Sequence, residues 1–406
     1  MINYQKFILD NGLKLLVHQD DSTPIVAVNL LYQVGSKDES PNKTGFAHLF
    51  EHLMFGGSVN IPSFDQPLEK AGGENNAFTN SDITNYYITL PKENIETAFW
   101  LESDRMLNLS FSKKSLDVQR QVVIEEFKQS YLNQPYGDVW MLLKPLAYKQ
   151  HPYQWNTIGK EISHIQEALM DDVKAFYKKY YNPNNAILVV AGNVIPEEVL
   201  ALTEKWFGEI PSGDQKTNNY LQEPEQSESR FQEVHRDVPV DALHNVYPMA
   251  ARGSKSYYSA DLLSDILSNG NSSRLYRKLI KEEGVFSELD AYITGDFDPG
   301  LFVFSGKPAE GISLEQADKR LMEEIELIKN ELISDFELQK VKNKLEASNT
   351  FSETSILNNA INLAIAESLG DANMVNLEKE IYGEEIKKIP DVNDLVQSEY
   401  KYGNNL

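Results

Sequence analysis

TGFAHLFEHLMFGG, residues 44–57, predicts one buried helix that carries three polar side chains. Its apolar residues lie on nearly every side of a helix, which is typical of a helix in a protein interior. Burial would place His48, Glu51 and His52 inside, where polar groups need partners. Because His48 and His52 are four positions apart, they share one helix face and can bind one metal ion. The alternative is two ordinary histidines on a half-buried helix.

The residues around this helix set its predicted ends and its chemistry. Thr44 is the predicted N-cap, and Gly56-Gly57 end the helix. Glu51 directly precedes His52, close enough to act on a metal-bound water. The order H-x-x-E-H is the reverse of the H-E-x-x-H helix found in many zinc proteases.

Composition limits the kind of protein and the kind of metal site. A chain of 406 residues predicts two or more domains. The balance of 38 basic against 61 acidic residues gives a net charge of -23, which disfavours nucleic acid and anionic membranes as partners. With no cysteine present, metal ligands must be His, Asp or Glu. Such a set is typical of catalytic rather than structural zinc sites.

The start of the chain bears on its location. No apolar run reaches the length of a membrane span. The first residues, MINYQKFILDNGLKLLVHQDD, lack a basic start followed by a long apolar core. We therefore expect a cytoplasmic protein, or a periplasmic one if a leader has been removed.

The pattern along the chain predicts an α+β fold, because strands precede helices and appear again after them. The predicted strands are 7–9, 14–17, 25–32, 84–90, 187–191, 234–238 and 244–250, and the predicted helices are 44–56, 63–71, 92–108, 112–132 and 165–180. The stretch 75–79 is a polar loop on its own pattern.

A polar, proline-bearing stretch divides the chain. We predict domains at 1–211 and 230–406, joined by a linker at 212–229. Residues 32–37 (YQVGSK) resemble residues 250–255 (AARGSK), which suggests a duplicated domain. At that offset the two histidines fall on Ile266 and Gly270, so the second domain is predicted to lack the metal site.

The third metal ligand is less clear from spacing. The predicted helix 112–132 offers Glu125 and Glu126, of which Glu126 lies nearer the apolar stripe. Both acids could equally be solvated, as most acidic helix residues are. Spacing alone leaves Glu126 as one of two open alternatives.

Several motifs together resemble the inverzincin metallopeptidases, the family of pitrilysin, insulin-degrading enzyme and the mitochondrial processing peptidase. These are HLFEH followed by MFG, the segment GGENNAFT (72–79) with TNYY (84–87), RQVVIEE (120–126), and NQPYG (133–137). The resemblance covers essentially the whole chain. It implies two homologous domains, each a mostly antiparallel sheet packed with helices, which form half of a clam-shell chamber.

The resemblance also implies roles for individual residues. His48, His52 and Glu126 would bind zinc, and Glu51 would be the general base of peptide-bond hydrolysis. Asn76, Ala77 and Phe78 would pair main chain to main chain with an extended peptide substrate. An ordinary strand end is the alternative for these three. Relatives often carry a second acid seven positions before the third ligand, where this chain has Gln119.

One family feature is missing from the second half. Relatives that act alone carry an arginine and a tyrosine seven residues apart, after a segment like SSRLY (272–276). Ile280 and Ser287 stand at those positions here. Arg274 and Tyr276 are interpreted as packing and capping residues.

This absence suggests how the chain works. We expect it to be the zinc-bearing subunit of a heterodimer, whose homologous partner supplies the arginine and tyrosine. A homodimer with a displaced arginine is the competing arrangement. Two further rivals are a non-catalytic assembly or scaffold subunit of the same fold, and a metal-binding module without turnover. The retained His48, Glu51, His52 and Glu126 argue against both.

Overall fold

The computed structural model describes residues 1–214, 216, 220–330, 333–382 and 404–405. Their packing forms two compact units, each with a sheet of mainly antiparallel strands and accompanying helices. This confirms the predicted α+β class. Unit 1 is Met1–Ser130, His151–Leu221 and Thr350–Asn376, and unit 2 is Tyr131–Gln150, Gln222–Asn349 and Leu377–Leu406.

The strands and helices of the described residues are as follows. The strands are β1 (Gln5–Ile8), β2 (Lys14–Gln19), β3 (Ile25–Tyr32), β4 (Glu74–Thr79), β5 (Thr84–Pro91), β6 (Ala186–Gly192), β7 (Arg230–Phe231), β8 (Leu243–Pro248), β9 (Phe286–Ile293), β10 (Leu301–Pro308) and β11 (Asn404–Asn405). The α-helices are α1 (Phe46–Met54), α2 (Asp65–Lys70), α3 (Ile95–Asn108), α4 (Lys113–Phe127), α5 (Val139–Ala147), α6 (Ile162–Gln166), α7 (Met170–Tyr180), α8 (Pro196–Phe207), α9 (Lys255–Ser268), α10 (Leu314–Asn330), α11 (Asp335–Ser352), α12 (Ile356–Ser368) and α13 (Met374–Glu380). Short 3-10 turns occupy Ser36–Asp38, Lys92–Asn94, Pro152–Gln154 and Pro183–Asn185, and π-helical segments occupy Lys128–Leu132 and Tyr276–Glu282.

The sheet of unit 1 has the order β1-β2-β6-β3-β5-β4, and only the β2–β6 pair is parallel. Every residue of β6 is buried, as its continuous apolar run predicts. Helix α12 packs on β3 and β6, and α1 packs near β4 and α4. Strand β4 is therefore an edge strand of this sheet, and it lies beside α1, the helix that carries the histidine motif.

The sheet of unit 2 has the order β7-β11-β8-β10-β9. Its β8, β10 and β9 are paired antiparallel, and β11 pairs parallel with β7. Helix α9 packs on β9, and α5 packs on β8 and β11. Among the described residues, no helix has both the length and the apolar character needed to cross a membrane.

The spacing of elements supports the predicted duplication. Strand β3 begins at Ile25 and β8 at Leu243, 218 positions apart. Helices α5 and α12 begin at Val139 and Ile356, 217 positions apart. Each of these two helices packs in the unit built mainly from the other half of the chain. The order of elements is thus repeated, with one equivalent helix exchanged.

The packing units differ from the predicted continuous domains at 131–150, which belongs to unit 2, and at 350–376, which belongs to unit 1. The change of unit at 221–222 falls inside the predicted linker at 212–229. The domain boundaries at 1–211 and 230–406 stay predictions for independently folding segments.

The strand predicted at 234–238 was wrong. These residues have no regular structure, and none of them is buried. An alternating pattern forms a strand only where one face has a core to cover and the edge can be paired. Pro239, which has no N–H to donate, directly follows the stretch.

Candidate metal centre

The N-terminus of α1 is stabilised by Glu39, a residue that the sequence pattern did not indicate. Thr44 is not the N-cap. The cap position is Gly45, with φ +86°, where an added Cβ would lie 2.7 Å from Ile165 Cδ1. The buried Glu39 carboxylate accepts hydrogen bonds from the N–H groups of Gly45, at 2.9 Å, and Ala47, at 2.8 Å. Glu39 therefore stabilises the helix start from a preceding loop.

Thr44 has a different role from the predicted one. Its hydroxyl lies 2.8 Å from His164 Nδ1 and accepts a hydrogen bond from the Lys160 N–H at 2.8 Å. These contacts join the segment before α1 to the region around α6. A threonine before an apolar run is a common N-cap signal, but here its hydroxyl is used by a distant partner.

Helix α1 is buried on most of its surface, as predicted. Its buried residues are Phe46, Ala47, Leu49, Phe50, Leu53 and Met54. His48, Glu51 and His52 are half-buried on the remaining face. The burial of the apolar residues holds the backbone of the three polar residues in place, because buried side chains lie before, within and after the motif.

The structure brings the three predicted ligands together. The Nε2 atoms of His48 and His52 are 3.2 Å apart. Glu126 Oε2 lies 3.6 Å from His48 Nε2 and 3.5 Å from His52 Nε2. Glu126 is on α4, which packs against α1. Two elements therefore supply a histidine pair and one carboxylate oxygen that converge on one point.

The alternative ligand, Glu125, does not face this point. Its side chain is 66% exposed, and its Oε1 lies 2.7 Å from Nζ of Lys128, the residue that follows α4. Of the two acids that spacing left open, Glu126 is the one that faces the histidine pair.

The ligand set fits a tetrahedral zinc ion. With zinc-to-ligand bonds of about 2.0–2.2 Å, two ligands of a tetrahedral ion are about 3.3–3.6 Å apart. The three observed separations, 3.2, 3.5 and 3.6 Å, are close to this range. His48 Nδ1 is buried and has no hydrogen-bond partner within the described part of the chain. Both rings have their Nε2 atoms towards the common point.

The electrostatics of the site suit a divalent cation. Burial lowers the pKa of His48 to about 4, which keeps its imidazole neutral and free to bind metal at neutral pH. The hydrogen bond to His52 lowers the pKa of Glu126, which favours the ionised carboxylate. Two imidazoles and one carboxylate form a ligand set typical of catalytic zinc.

Glu51 lies on the same helix but is not one of the converging ligands. Burial raises the pKa of its carboxyl, and a hydrogen bond from Thr79 acts in the opposite direction. The Thr79 hydroxyl donates to Glu51 Oε2 at 2.6 Å. Thr79 was not among the predicted site residues, since no local pattern relates positions 28 apart.

Asn76, Ala77 and Phe78 lie on β4, at the end of the unit 1 sheet, rather than in a loop. They pair with Tyr87, Tyr86 and Asn85 of β5, respectively. The Ala77 N–H donates to Asn76 Oδ1 at 2.8 Å. This N–H therefore points away from β5, and in an antiparallel strand the C=O of the same residue points the same way.

Arg274, Ile280 and Ser287, the positions discussed in the second half of the chain, lie in unit 2. The Arg274 guanidinium forms a two-point ion pair with Glu337, Nε to Oε1 at 2.7 Å and Nη2 to Oε2 at 2.9 Å, and holds the pKa of Glu337 at about 2. This agrees with its interpretation as a packing residue. Ser287 donates its hydroxyl to the Lys307 carbonyl at 3.1 Å. Ile280, in a π-helical segment, offers no donor.

Comparison with known proteins gives matches along most of the chain. The family described as "Insulinase (Peptidase family M16)" matches residues 14–160, and "Peptidase M16 inactive domain" matches residues 169–345. The zinc protease PqqE of Helicobacter pylori is 32% identical over 345 residues, which cover 84% of this chain and 78% of that protein. Insulin-degrading enzyme of Bos taurus is 26% identical over 60% of this chain.

Solved structures match over the full length. The structure of a protease from Helicobacter pylori has a TM-score of 0.94 at 29% identity, and the match covers 100% of both chains. The periplasmic protease PqqL from Escherichia coli has a TM-score of 0.80 at 20% identity, and this chain covers 48% of it. The first of these proteins has a matching length, and the second is about twice as long.

Proposed function

Since the chain belongs to peptidase family M16, the insulinase family, as its motifs predict, we propose that it is a zinc-dependent endopeptidase acting on unstructured peptides. The observation that carries this proposal is the convergence of His48, His52 and Glu126 beside Glu51. Matching relatives named as zinc proteases support the same reaction.

His48, His52 and Glu126 would hold the zinc ion, leaving its fourth position for water or substrate. When bound, zinc lowers the pKa of water at that position and polarises the scissile carbonyl. The protein's own part is to keep the His48 imidazole neutral and the Glu126 carboxylate ionised, and to hold all three ligands in place through the α1–α4 packing.

Glu51 would be the general base. Its Oε2 accepts the Thr79 hydroxyl, and no described residue donates to its Oε1. That oxygen can take a proton from the attacking water and return it to the leaving amine. Half-burial favours this role, because it brings the pKa of the carboxyl closer to the pH at which it must gain and lose protons. No covalent intermediate is required.

The edge strand β4 would bind the substrate. The N–H of Ala77 points to the open side of the sheet, where Asn76 Oδ1 accepts it. A peptide that adds as a further strand would replace this side-chain acceptor with its own carbonyl. This mode recognises backbone more than side chains, which suits unstructured peptides. Phe78 and its neighbours would fix the register.

We further propose that the active form is a heterodimer enclosing a chamber, in which a homologous subunit supplies an arginine and a tyrosine. The support is that Ile280 and Ser287 stand where the motif resemblance implies that pair, and that this chain covers 48% of PqqL. A homodimer is the competing arrangement. The proposed compartment is the cytoplasm. The periplasm is the alternative, since PqqL is described as periplasmic.

The rival function is a non-catalytic assembly subunit. The "inactive domain" match favours it only for residues 169–345, which exclude the metal centre. A chain kept only for assembly has no need of a ligand set at zinc spacing together with a half-buried glutamate. The retained His48, Glu51, His52 and Glu126 therefore favour the peptidase.

The Glu51→Gln substitution tests the reaction. We expect peptide cleavage to fall by at least about 100-fold, because the amide cannot accept a proton, while zinc content stays at that of the wild type. Cleavage of a quenched, unstructured peptide library and metal analysis would be measured together, with and without candidate partner subunits. Full activity of the variant would contradict the proposed role of Glu51.

A further inference from the structure

The hydrogen bond from Thr79 to Glu51 links the edge strand to the proposed base. At 2.6 Å it has the length of a hydroxyl bonded to a charged carboxylate. A glutamate side chain has three rotatable bonds, and ordering it costs conformational entropy. Within the described residues Thr79 is the one side chain that donates to Glu51, so it selects the carboxylate's orientation.

Thr79 is held by a tight turn. It is the last residue of β4 and pairs with Thr84, the first residue of β5. The Asn80 N–H donates to the Ile83 carbonyl at 3.0 Å. Asn80 Oδ1 accepts from the N–H groups of Asp82, at 2.8 Å, and Ile83, at 2.9 Å. The backbone on the C-terminal side of Thr79 therefore has little freedom.

The turn is also docked against the segment that follows β3. The Lys37 N–H donates to the Ser81 carbonyl at 2.9 Å, and Lys37 Nζ lies 2.6 Å from Asp82 Oδ1. Both side chains of this ion pair are less than a tenth exposed. A Cβ at Gly35 would lie 2.4 Å from the Ser81 carbonyl carbon, so glycine permits the close approach. The backbone that carries the Thr79 hydroxyl is therefore rigid.

Glu51, which accepts the hydrogen bond from Thr79, is also restrained, since it lies within the buried helix α1. A hydrogen bond between two regular elements preorganises a reactive group better than one from a mobile loop. Because Thr79 ends the strand proposed to pair with substrate, the same element would place both the peptide and the base.

From this geometry we propose that Thr79 is a positioning residue, which holds the Glu51 carboxylate in the orientation that takes the proton from the attacking water. The proposal rests on the proposed peptidase function. A purely structural tie between β4 and α1 is the competing explanation, and it would alter stability or substrate binding rather than turnover.

Two substitutions at Thr79 and one matched control test the proposal. Thr79→Val keeps the shape but removes the donor, and Thr79→Ser keeps the donor. Thr84→Val removes a buried hydroxyl from the same hairpin, one that donates to the Val34 carbonyl at 2.9 Å. We expect Thr79→Val to lower kcat by about 10–100-fold with KM within about two-fold of wild type and zinc content unchanged. Thr79→Ser should recover most of kcat, and Thr84→Val should leave kcat per zinc-loaded molecule unchanged.

A wild-type kcat in Thr79→Val, or an equal loss in Thr84→Val, would overturn the proposal. If the wild-type chain cleaves nothing with any partner, the peptidase function fails instead. Crystal structures of the wild type and Thr79→Val then decide the positioning role directly. A Glu51 carboxylate that rotates away in the variant supports it, and one that keeps its place overturns it.

Discussion

Glu125 and Glu126 are adjacent in sequence and differ completely in environment. Glu126 Oε2 lies within 3.6 Å of both histidine Nε2 atoms, whereas Glu125 is exposed and pairs with Lys128. On a helix, consecutive side chains point about 100° apart, so a single step moves a carboxylate from the metal point to solvent. Glu125 is therefore a matched control for a substitution at Glu126.

We expect Glu126→Gln to lose zinc and Glu125→Gln to keep it. Removing an anionic ligand lowers metal affinity. Loss of a residue that only hydrogen-bonds to a ligand typically lowers it by about 10–100-fold, so loss of the ligand itself should lower it by at least as much. Glu125 contributes only a surface ion pair. Zinc affinity of both purified variants, measured by competition with a chelator, checks this. Equal affinities in the two variants would remove Glu126 from the ligand set.

At the scale of elements, α12 shows how the second half of the chain contributes to unit 1. Its Glu367 is 1% exposed, and its Oε1 lies 2.7 Å from Lys6 Nζ on β1 and 2.9 Å from Lys14 Nζ on β2. A buried carboxylate without these partners would be strongly disfavoured. The ion pairs therefore help to hold this distant helix on the first sheet.

We expect Glu367→Gln to lower the free energy of unfolding by about 1–3 kcal/mol, less than for a fully buried pair because the lysines can turn to water. The matched control is Glu96→Gln on α3, whose surface pair with Lys205 should contribute at most about 1 kcal/mol. Denaturant unfolding of both variants makes the comparison. Equal losses would mean that the Glu367 contacts do not hold α12.

At the scale of the whole molecule, the chain brings together a His-His-Glu group that could hold a metal ion, and it has Ile280 and Ser287 where the motif resemblance implies an arginine and a tyrosine. Its length matches the Helicobacter pylori protease and about half of PqqL. These two observations are the ones on which the proposed heterodimer rests.

We therefore expect the purified chain to bind about one zinc ion and to cleave peptides far more slowly alone than with its partner. Losing groups that stabilise a developing oxyanion typically costs about 10²–10³ in kcat. Sedimentation analysis together with library cleavage, alone and after adding homologous subunits that carry the pair, would test this. Robust turnover by the isolated chain, as monomer or homodimer, would refute the heterodimer.

The sequence alone determined the features that depend on local periodicity. His48 and His52 share a face because a helix repeats every 3.6 residues, and the apolar run of β6 predicts a buried strand. The absence of cysteine limited the ligands to His, Asp and Glu. The order of strands and helices predicted the α+β fold, and the motif resemblance implied Glu126 as the third ligand.

Only the tertiary structure decided the contacts between distant positions. It showed that Glu39, not Thr44, caps α1, that Thr79 contacts Glu51, and that α5 and α12 each pack in the unit of the other half. Local propensity cannot specify these contacts, because each depends on how two separately formed elements pack. Which side chain faces which is set by burial and hydrogen bonding summed over the whole chain.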